Sequence, residues 1–103
     1  MRTLVELQEW YLAQCNESWE HTYGLNIGTL DNPGWSLMID LTDTKLESVE
    51  FDAQSYGVGA DGQASGNEWL TCKVEKGKFV SFGGPRKLEE MIGVFLLWAK
   101  KNA

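Results

Sequence analysis

This chain of 103 residues has few of the features that indicate a secreted, metal-binding or membrane-spanning protein. It contains two cysteines and one histidine, without the C-x-x-C or H-x-x-x-H spacing of a zinc site. Its longest apolar run, residues 91–99, covers nine residues and is too short to cross a bilayer. Glu6 and Glu9 interrupt the N-terminal segment, where a signal peptide would be apolar. We therefore expect a cytoplasmic protein with free thiols, no metal and no cofactor.

Basic residues are also scarce in the first two thirds of the chain. Residues 1–72 carry 12 acidic and 2 basic side chains, whereas residues 73–103 carry 3 acidic and 7 basic ones, and the formal net charge is −6. A nucleic-acid-binding protein usually shows the opposite balance. An acidic surface favours a basic partner and speeds its capture, although a charge of this size also serves simply to keep a small protein soluble. The composition therefore argues against nucleic acid and leaves a basic protein as one candidate partner.

Two amphipathic segments predict helices at the two ends of the chain. Thr3 and Glu6 fit a capping box that starts the first helix, which we expect to end near Asn16. Pro85 suits the first position of the second helix, where its missing N–H is not needed. The predicted apolar stripes are Leu4, Leu7, Tyr11 and Cys15 in the first helix, and Leu88, Met91, Ile92, Phe95, Trp98 and Ala99 in the second.

Five apolar runs between these helices predict an antiparallel sheet in meander order. In the first hairpin, pairing Thr29 with Trp35 matches apolar residues on both strands, whereas a slip of one residue would oppose them with glycine and asparagine. In the last hairpin, a three-residue turn with a left-handed Gly77 would place Val74 opposite Val80. The sum is one α+β domain, residues 1–103, with both helices on one sheet face. The strands are expected at residues 22–29, 35–41, 46–52, 68–75 and 79–83.

Residues 53–67 form the longest predicted loop and contain four glycines. Within this loop, Gly57-Val-Gly59-Ala-Asp-Gly62 matches the dinucleotide-binding string. We reject a nucleotide site, because the following residues are poor helix formers and no acidic ribose-binding residue occurs about twenty residues further on. Loops of this length in small domains are typically either functional or disordered.

The cysteines, the histidine and the tryptophans leave two other kinds of function open. Cys15, His21 and Glu20 could supply the thiolate, base and orienting acid of a small enzyme. Against this, Cys15 falls on a predicted core stripe and Cys72 faces inward, where thiols serve as packing. A small-ligand pocket lined by tryptophan is the other alternative, although tryptophans more often belong to the core. His21 itself either forms a local hydrogen bond between helix and strand or contacts a partner.

Acidic and aromatic side chains are the remaining candidates, and they suit contact with another protein. Tryptophan and histidine at a loop edge make good anchors, and Trp69 alternates onto the sheet face opposite Leu70. The acidic residues at turns and on strands form either a solvated sheet face or a surface that mimics phosphate charge and blocks a basic active site. The residues expected to contact a partner are Trp19, Glu20, His21, Asp31, Glu50, Asp52, Asp61 and Trp69.

Uncommon strings occur along nearly the whole chain. They are Leu7-Gln-x-Trp10-Tyr11-x-x-Gln14-Cys15, Trp19-Glu20-His21-x-Tyr23-Gly24, Thr29-Leu30-Asp31-Asn32-Pro33-Gly34-Trp35, Asp40-Leu41, Trp69-x-x-Cys72, Gly83-Gly84-Pro85 and Phe95-Leu96-x-Trp98. In this order they resemble the immunity protein 53 family, which is associated with bacterial polymorphic toxin systems. The strings Trp-Glu-His and Asp-Asn-Pro-Gly-Trp make the resemblance fairly specific.

The resemblance implies a small cytoplasmic protein that binds and neutralises a cognate toxin domain and has no enzyme activity. The acidic bias favours a basic toxin, for example a nuclease, whose active site the protein would occlude. We expect a monomer or weak dimer that binds neither nucleic acid nor membranes. The resemblance supplies no toxin-contact residues, so the eight candidates above rest on the sequence pattern alone.

Overall fold

The computed structural model describes residues 2–58 and 66–103. It consists of a five-stranded antiparallel sheet with a helix at each end of the chain. This architecture confirms the predicted α+β class. No helix in the described ranges is long and apolar enough to cross a membrane. The elements are α1 (Thr3–Gln14), α2 (Trp19–Thr22), β1 (Leu25–Leu30), β2 (Gly34–Asp40), β3 (Gln54–Tyr56), β4 (Leu70–Glu75), β5 (Lys78–Gly83) and α3 (Leu88–Lys101).

The strand order corrects the predicted meander, because β5 lies between β2 and β4 to give β1-β2-β5-β4-β3. The strand predicted at residues 46–52 is not formed. Those residues form turns and irregular backbone instead, and Leu46, Val49 and Phe51 pack onto the core. The spacing of these apolar residues therefore indicates that they are buried and does not indicate a strand. The chain then reaches the far edge of the sheet as β3, inside the segment predicted as a loop.

The β1–β2 hairpin has the predicted register, with Thr29 opposite Trp35 and Ile27 opposite Leu37. Leu30 also pairs with Gly34, so the connecting turn has only residues 31–33. The hairpin begins later than predicted, because Tyr23 ends α2. This register places the side chains of Leu25 and Ile27 on the same sheet face as the buried side chains of Ile39 and Leu37.

The β4–β5 hairpin differs from its predicted register by one residue. Lys76 and Gly77 both have positive φ, 52° and 77°, and form a two-residue turn of the kind that suits tight hairpins. Val74 therefore lies opposite Phe79, and Val80 lies opposite Lys73. As a result Phe79 is fully buried at the centre of the core.

α3 supplies the largest share of helical core residues. Met91 and Phe95 are fully buried, and the helix packs across β2, β5 and β4. The helix begins at Leu88 rather than at Pro85, which lies in a turn. The carbonyl of Pro85 accepts a hydrogen bond from Trp35 Nε1 at 3.0 Å, and this contact fixes the approach to α3 on the sheet.

The capping box and the apolar stripe predicted for α1 are both wrong. Thr3 is the first helical residue, and its hydroxyl donates to Glu89 Oε1 (3.4 Å) instead of capping the helix. Leu7 is buried, but Leu4 is 59% exposed. Trp10 packs edge-on against Phe95 with ring centroids 4.9 Å apart, so the helix is rotated towards this aromatic contact. α1 therefore packs against α3 on the helical side of the sheet and leaves part of its apolar surface uncovered.

Candidate functional site

Seven of the eight residues predicted to contact a partner lie in separate parts of the fold, and the eighth, Asp61, falls outside the described residues. The fold therefore does not gather them into one patch, and their role in binding stays a prediction. Trp19, Glu20 and His21 form most of α2, Glu50 and Asp52 precede β3, Asp31 lies in the β1–β2 turn, and Trp69 precedes β4.

Trp19 is an internal anchor of α2. Its side chain is only 4% exposed, and its Nε1 donates to the carbonyl of Thr42 at 2.9 Å. Its ring lies 6.3 Å from that of Trp10 and 6.1 Å from that of Tyr23. These contacts fix α2 between α1 and the turn that follows β2. Trp19 therefore packs inside the protein, and the polar side chains of α2 belong to its neighbours Glu20 and His21.

Glu20 carries a negative charge that the backbone holds in place. Its carboxylate accepts the N–H groups of Asn16 at 2.9 Å and Glu17 at 2.8 Å. Hydrogen bonds from its own backbone N–H and from those two residues lower the pKa of the Glu20 carboxyl. His21 is exposed beside it, and in the described part of the chain its imidazole makes no hydrogen bond. α2 therefore presents a fixed carboxylate next to a solvated imidazole.

The segment from residue 3 to residue 44 contains seven acidic residues and no lysine or arginine. It comprises α1, α2, the β1–β2 hairpin and the following turn. Among the described residues, only Glu6 and Asp40 of these seven form ion pairs, with Lys100 and Lys78 respectively. The segment therefore gives the α1–α2–β1 side of the molecule an excess of negative charge, although Arg2 and Lys100 lie beside Glu6 and Glu9. The seven are Glu6, Glu9, Glu17, Glu20, Asp31, Asp40 and Asp43.

An apolar groove of about 300 Å³ runs between α1 and β1 on this acidic side. Its walls include Leu4 and Tyr11 from the helix and Ile27 from the strand, which are 59%, 39% and 38% exposed. Sequence reasoning assigned Leu4 and Tyr11 to the core and missed the groove. The sequence did contain one indication of exposed apolar surface on α1. Its apolar residues are too many for one buried stripe, because Val5 and Leu12 also fall outside any such stripe.

Glu50 and Asp52 border a different cleft, of about 410 Å³, beside the second half of α3. The carbonyl of Glu50 accepts a hydrogen bond from Trp98 Nε1 at 2.9 Å, which ties this segment to the helix. Both carboxylate side chains are exposed, and Leu97 and Lys101 line the same cleft. Because Lys101 is also present, the cleft carries charges of both signs.

Asp31 and Trp69 lie at the end of the sheet where β1 turns into β2. Asp31 is exposed in the turn. Trp69 is buried, and a Cβ added at Gly34 would come within 3.4 Å of its ring and 2.4 Å of the Gly83 carbonyl. Gly34 is thus required by the close approach of Trp69 and β5, and Trp69 covers the start of the strands.

The two cysteines make local contacts. Cys15 follows α1, half-buried, and its thiol donates to the Tyr11 carbonyl at 3.4 Å, so its predicted place on the core stripe is wrong. Cys72 is buried as predicted and lies 3.2 Å from the Ser81 hydroxyl. Burial raises the pKa of the Cys72 thiol and favours its protonated form. Across residues 2–58 and 66–103, no group of three or more His, Cys, Asp or Glu residues is arranged to hold a metal ion.

A charged cluster centred on Lys87 was not predicted from the sequence. The Lys87 ammonium lies 2.8 Å from Glu68 Oε1 and 5.5 Å from the centre of the Tyr56 ring. Tyr56 in turn donates its hydroxyl to Glu90 at 2.8 Å. The hydrogen bond to Glu68 raises the pKa of Lys87, and burial raises that of the Tyr56 hydroxyl. The cluster joins β3 and the residues before β4 to the start of α3, so we interpret it as structural.

Comparison with known proteins gives one positive finding. The sequence model of a family described as Immunity protein 53 matches residues 4–100, which is nearly the whole chain. No curated protein and no solved structure gave a match. The match spans nearly all of α1 through most of α3, so it includes the groove and almost all of the acidic segment and of the cleft described above.

Proposed function

Because the chain belongs to the immunity protein 53 family, we propose that it binds a cognate bacterial toxin domain and neutralises it by covering the toxin's active site. We expect the toxin surface to be basic, as in a nuclease that holds phosphate groups. The observation that carries this proposal is the segment of residues 3–44, with seven acidic residues and no lysine or arginine. Such a surface attracts a basic protein and repels nucleic acid.

The two kinds of surface on this side of the molecule would contribute to binding differently. Exposed carboxylates such as Glu9 and Glu17 chiefly accelerate association and set its dependence on salt. Apolar side chains that lose water on binding, such as Leu4, contribute more to the lifetime of the complex. The proposal therefore expects fast, salt-sensitive association together with slow dissociation.

The direct experiment uses the toxin domain that the proposal expects to be encoded beside this chain's gene, made inactive by substitution for work in vitro. Surface plasmon resonance should show a one-to-one complex whose association rate falls as salt is raised, while dissociation changes little. In cells, co-expression of this chain should restore growth in the presence of the active toxin domain. Absence of both binding and protection would refute the proposal.

Charge reversals can distinguish the two acidic regions. We expect Glu17→Lys with Asp43→Lys, beside α2, to slow association by about tenfold or more, because both side chains are exposed on the segment without basic residues. Glu50→Lys with Asp52→Lys serves as the matched pair at the other cleft and should have a smaller effect, since Lys101 already offsets part of its charge. Unchanged association in both double variants would refute the electrostatic part of the proposal.

We further propose that the encounter takes place in the cytoplasm, where Cys15 and Cys72 would remain reduced. Cell fractionation of the untagged protein would test this location. Recovery of the protein mainly from the periplasm or the membrane fraction would contradict it.

A further inference from the structure

β1 is an edge strand that directs backbone hydrogen-bonding groups away from the sheet. The N–H of Asp40 donates to the carbonyl of Gly24 at 2.9 Å, so these two residues form a hydrogen-bonded pair of the β1–β2 ladder. Every second residue of β1 after Gly24 is therefore bonded to β2 in the same way. Alternation along an antiparallel pair then leaves Leu25, Ile27 and Thr29 with their N–H and C=O groups pointing outward. Among the described residues, no other strand pairs with this edge.

The groove beneath α1 adjoins the same edge. The side chains of Leu25 and Ile27 lie on the helical face of the sheet and line the groove together with Leu4 and Tyr11. A strand added along β1 would continue the sheet under α1. Every second side chain of that strand would enter the groove and cover apolar surface that is now exposed to water. Backbone pairing and apolar burial would therefore act at one place.

The opposite edge of the sheet is a poorer acceptor for a strand. β3 spans only Gln54–Tyr56, half the length of β1. The Tyr56 hydroxyl is already bonded to Glu90, and its ring contacts Lys87. Short edge strands with their side chains engaged resist the addition of another strand. Of the two edges, β1 offers both the longer ladder and the adjoining apolar groove.

Charge decides which kind of strand fits this edge. Glu20 lies close enough to Tyr11 in the groove wall to help raise the pKa of its hydroxyl, with the contact to Cys15 as the main cause. β1 itself carries no charged residue, but the surrounding residues 3–44 include seven acidic residues and no lysine or arginine, so two copies of this chain meeting at β1 would bring two negatively charged segments together. A strand that carries basic residues would meet opposite charge instead.

We propose that β1 and the groove beneath α1 receive an edge strand of the toxin that has apolar residues at every second position and lysine or arginine at its ends. This inference rests on the proposed function and names the surface that would carry it. The apolar residues would fill the groove beside Leu4 and Ile27, and the basic ones would lie at the rim of the groove, towards Glu20.

The first test replaces Thr29 with proline. Because the N–H of Thr29 points outward, proline removes no bond between β1 and β2, but it removes a donor and blocks an incoming strand. We expect Thr29→Pro to weaken binding of the inactivated toxin domain about tenfold or more. Thr29→Val is the matched control, since it keeps the N–H and the side-chain shape, and it should bind like the wild type.

A second pair of variants tests the groove without altering the backbone. Leu4→Gln changes an exposed leucine of α1, and Leu97→Gln changes a leucine of α3 that is 67% exposed and lines the Glu50 cleft. The inference expects Leu4→Gln alone to weaken binding, with similar melting temperatures for both variants. The reverse result, with loss only in Leu97→Gln, would place the interface at the other cleft and overturn the inference.

Amide exchange measured by NMR gives a readout that does not depend on variants. Complex formation should slow exchange of the outward Ile27 and Thr29 amides, whereas the inward Gly28 amide is already protected in the free protein. If the wild type binds the toxin domain but Ile27 and Thr29 gain no protection, the inference fails and the proposed function stands. If the wild type does not bind at all, the proposed function fails as well. A wild-type dimer that Thr29→Pro abolishes would overturn the choice of partner.

Discussion

The two long helices of this protein are similar in length but differ in how much apolar surface they bury. α3 buries six residues against the sheet and α1, including Phe95 and Trp98. α1 buries only Thr3 and Leu7, while Leu12 is 63% exposed. Both sequences are rich in apolar residues, so composition alone does not explain the contrast. The position of each helix relative to the sheet does: α3 lies across three strands, whereas α1 packs mainly on α3.

This contrast separates the part of the molecule that maintains the fold from the part that is free to contact a partner. A helix whose apolar residues are all buried has little left for binding. α1 retains exposed apolar side chains beside an open strand edge, and soluble monomers usually keep such patches small unless they serve an interaction. The contrast can be tested by comparing equivalent substitutions in the two helices.

The largest effect on stability is expected from Phe95→Ala in α3. Phe95 is fully buried and lies between Trp10, Phe79 and Trp98, so the substitution should leave a cavity and cost about 3–5 kcal/mol. Leu12→Ala in α1 is the control and should change the free energy of unfolding by less than about 0.5 kcal/mol. Urea denaturation measures both values. A cost below about 1 kcal/mol for Phe95→Ala would contradict the assignment of α3 as the core helix.

Leu7→Ala should have the second largest effect, because Leu7 is the buried apolar residue through which α1 joins the core. We expect a cost of about 2–3 kcal/mol, with Leu4→Ala as a control that costs much less. The same denaturation experiment applies. If the two leucines proved equivalent, α1 would be rotated relative to the structure and Leu4 would not be available in the groove.

Lys100→Met should have a smaller effect, because it breaks the ion pair between α3 and Glu6 of α1. Both side chains are more than a third exposed, so screening by water limits the expected cost to about 0.5 kcal/mol. The difference from the wild type should shrink as salt is raised. Lys101→Met, at the neighbouring exposed position, is the control. A cost that persisted at high salt would indicate a contribution from packing of the lysine stem instead.

The smallest effect is expected from Glu20, which accepts backbone N–H groups just beyond the end of α1. Its folded-state pKa lies below the usual value of 4.5, so the ionised carboxylate stabilises the fold above that pH. This contribution is lost as the pH falls through the folded-state pKa. The melting temperature of Glu20→Gln should therefore lie below that of the wild type at neutral pH and approach it in acid. Glu17→Gln is the control, because it keeps the backbone N–H that Glu20 accepts, and its melting temperature at neutral pH should stay close to that of the wild type.

The sequence predicted local pairing better than it predicted long-range order. Apolar matching predicted the β1–β2 register correctly, because a one-residue slip would have placed glycine and asparagine opposite Leu37 and Ile39. The same reasoning failed for β4–β5, where the positive φ of Lys76 shortens the turn by one residue. Apolar matching could not detect this, since Val74 finds an apolar neighbour in either register.

The prediction of a site was limited because exposure depends on contacts between distant parts of the chain. Trp19 and Trp69 carry an apolar ring and a polar N–H, so the sequence cannot distinguish an exposed anchor from a buried one, and both are buried. The groove depends on the rotation of α1, which is set by the contact between Trp10 and Phe95 from the other end of the chain. No periodicity within α1 encodes that contact. The acidic character of this side was visible in the composition, but its location beside an open edge was not.

The insertion of β5 between β2 and β4 has a consequence for biosynthesis. The centre of the sheet joins Trp35 to Gly83 and Asp40 to Lys78, so a nascent chain emerging from the ribosome can form only the first hairpin until its last third is available. α3, which closes the core, is made last of all. Protection by such a protein would lag behind translation by the time needed for this final step, and a prematurely terminated product would provide none.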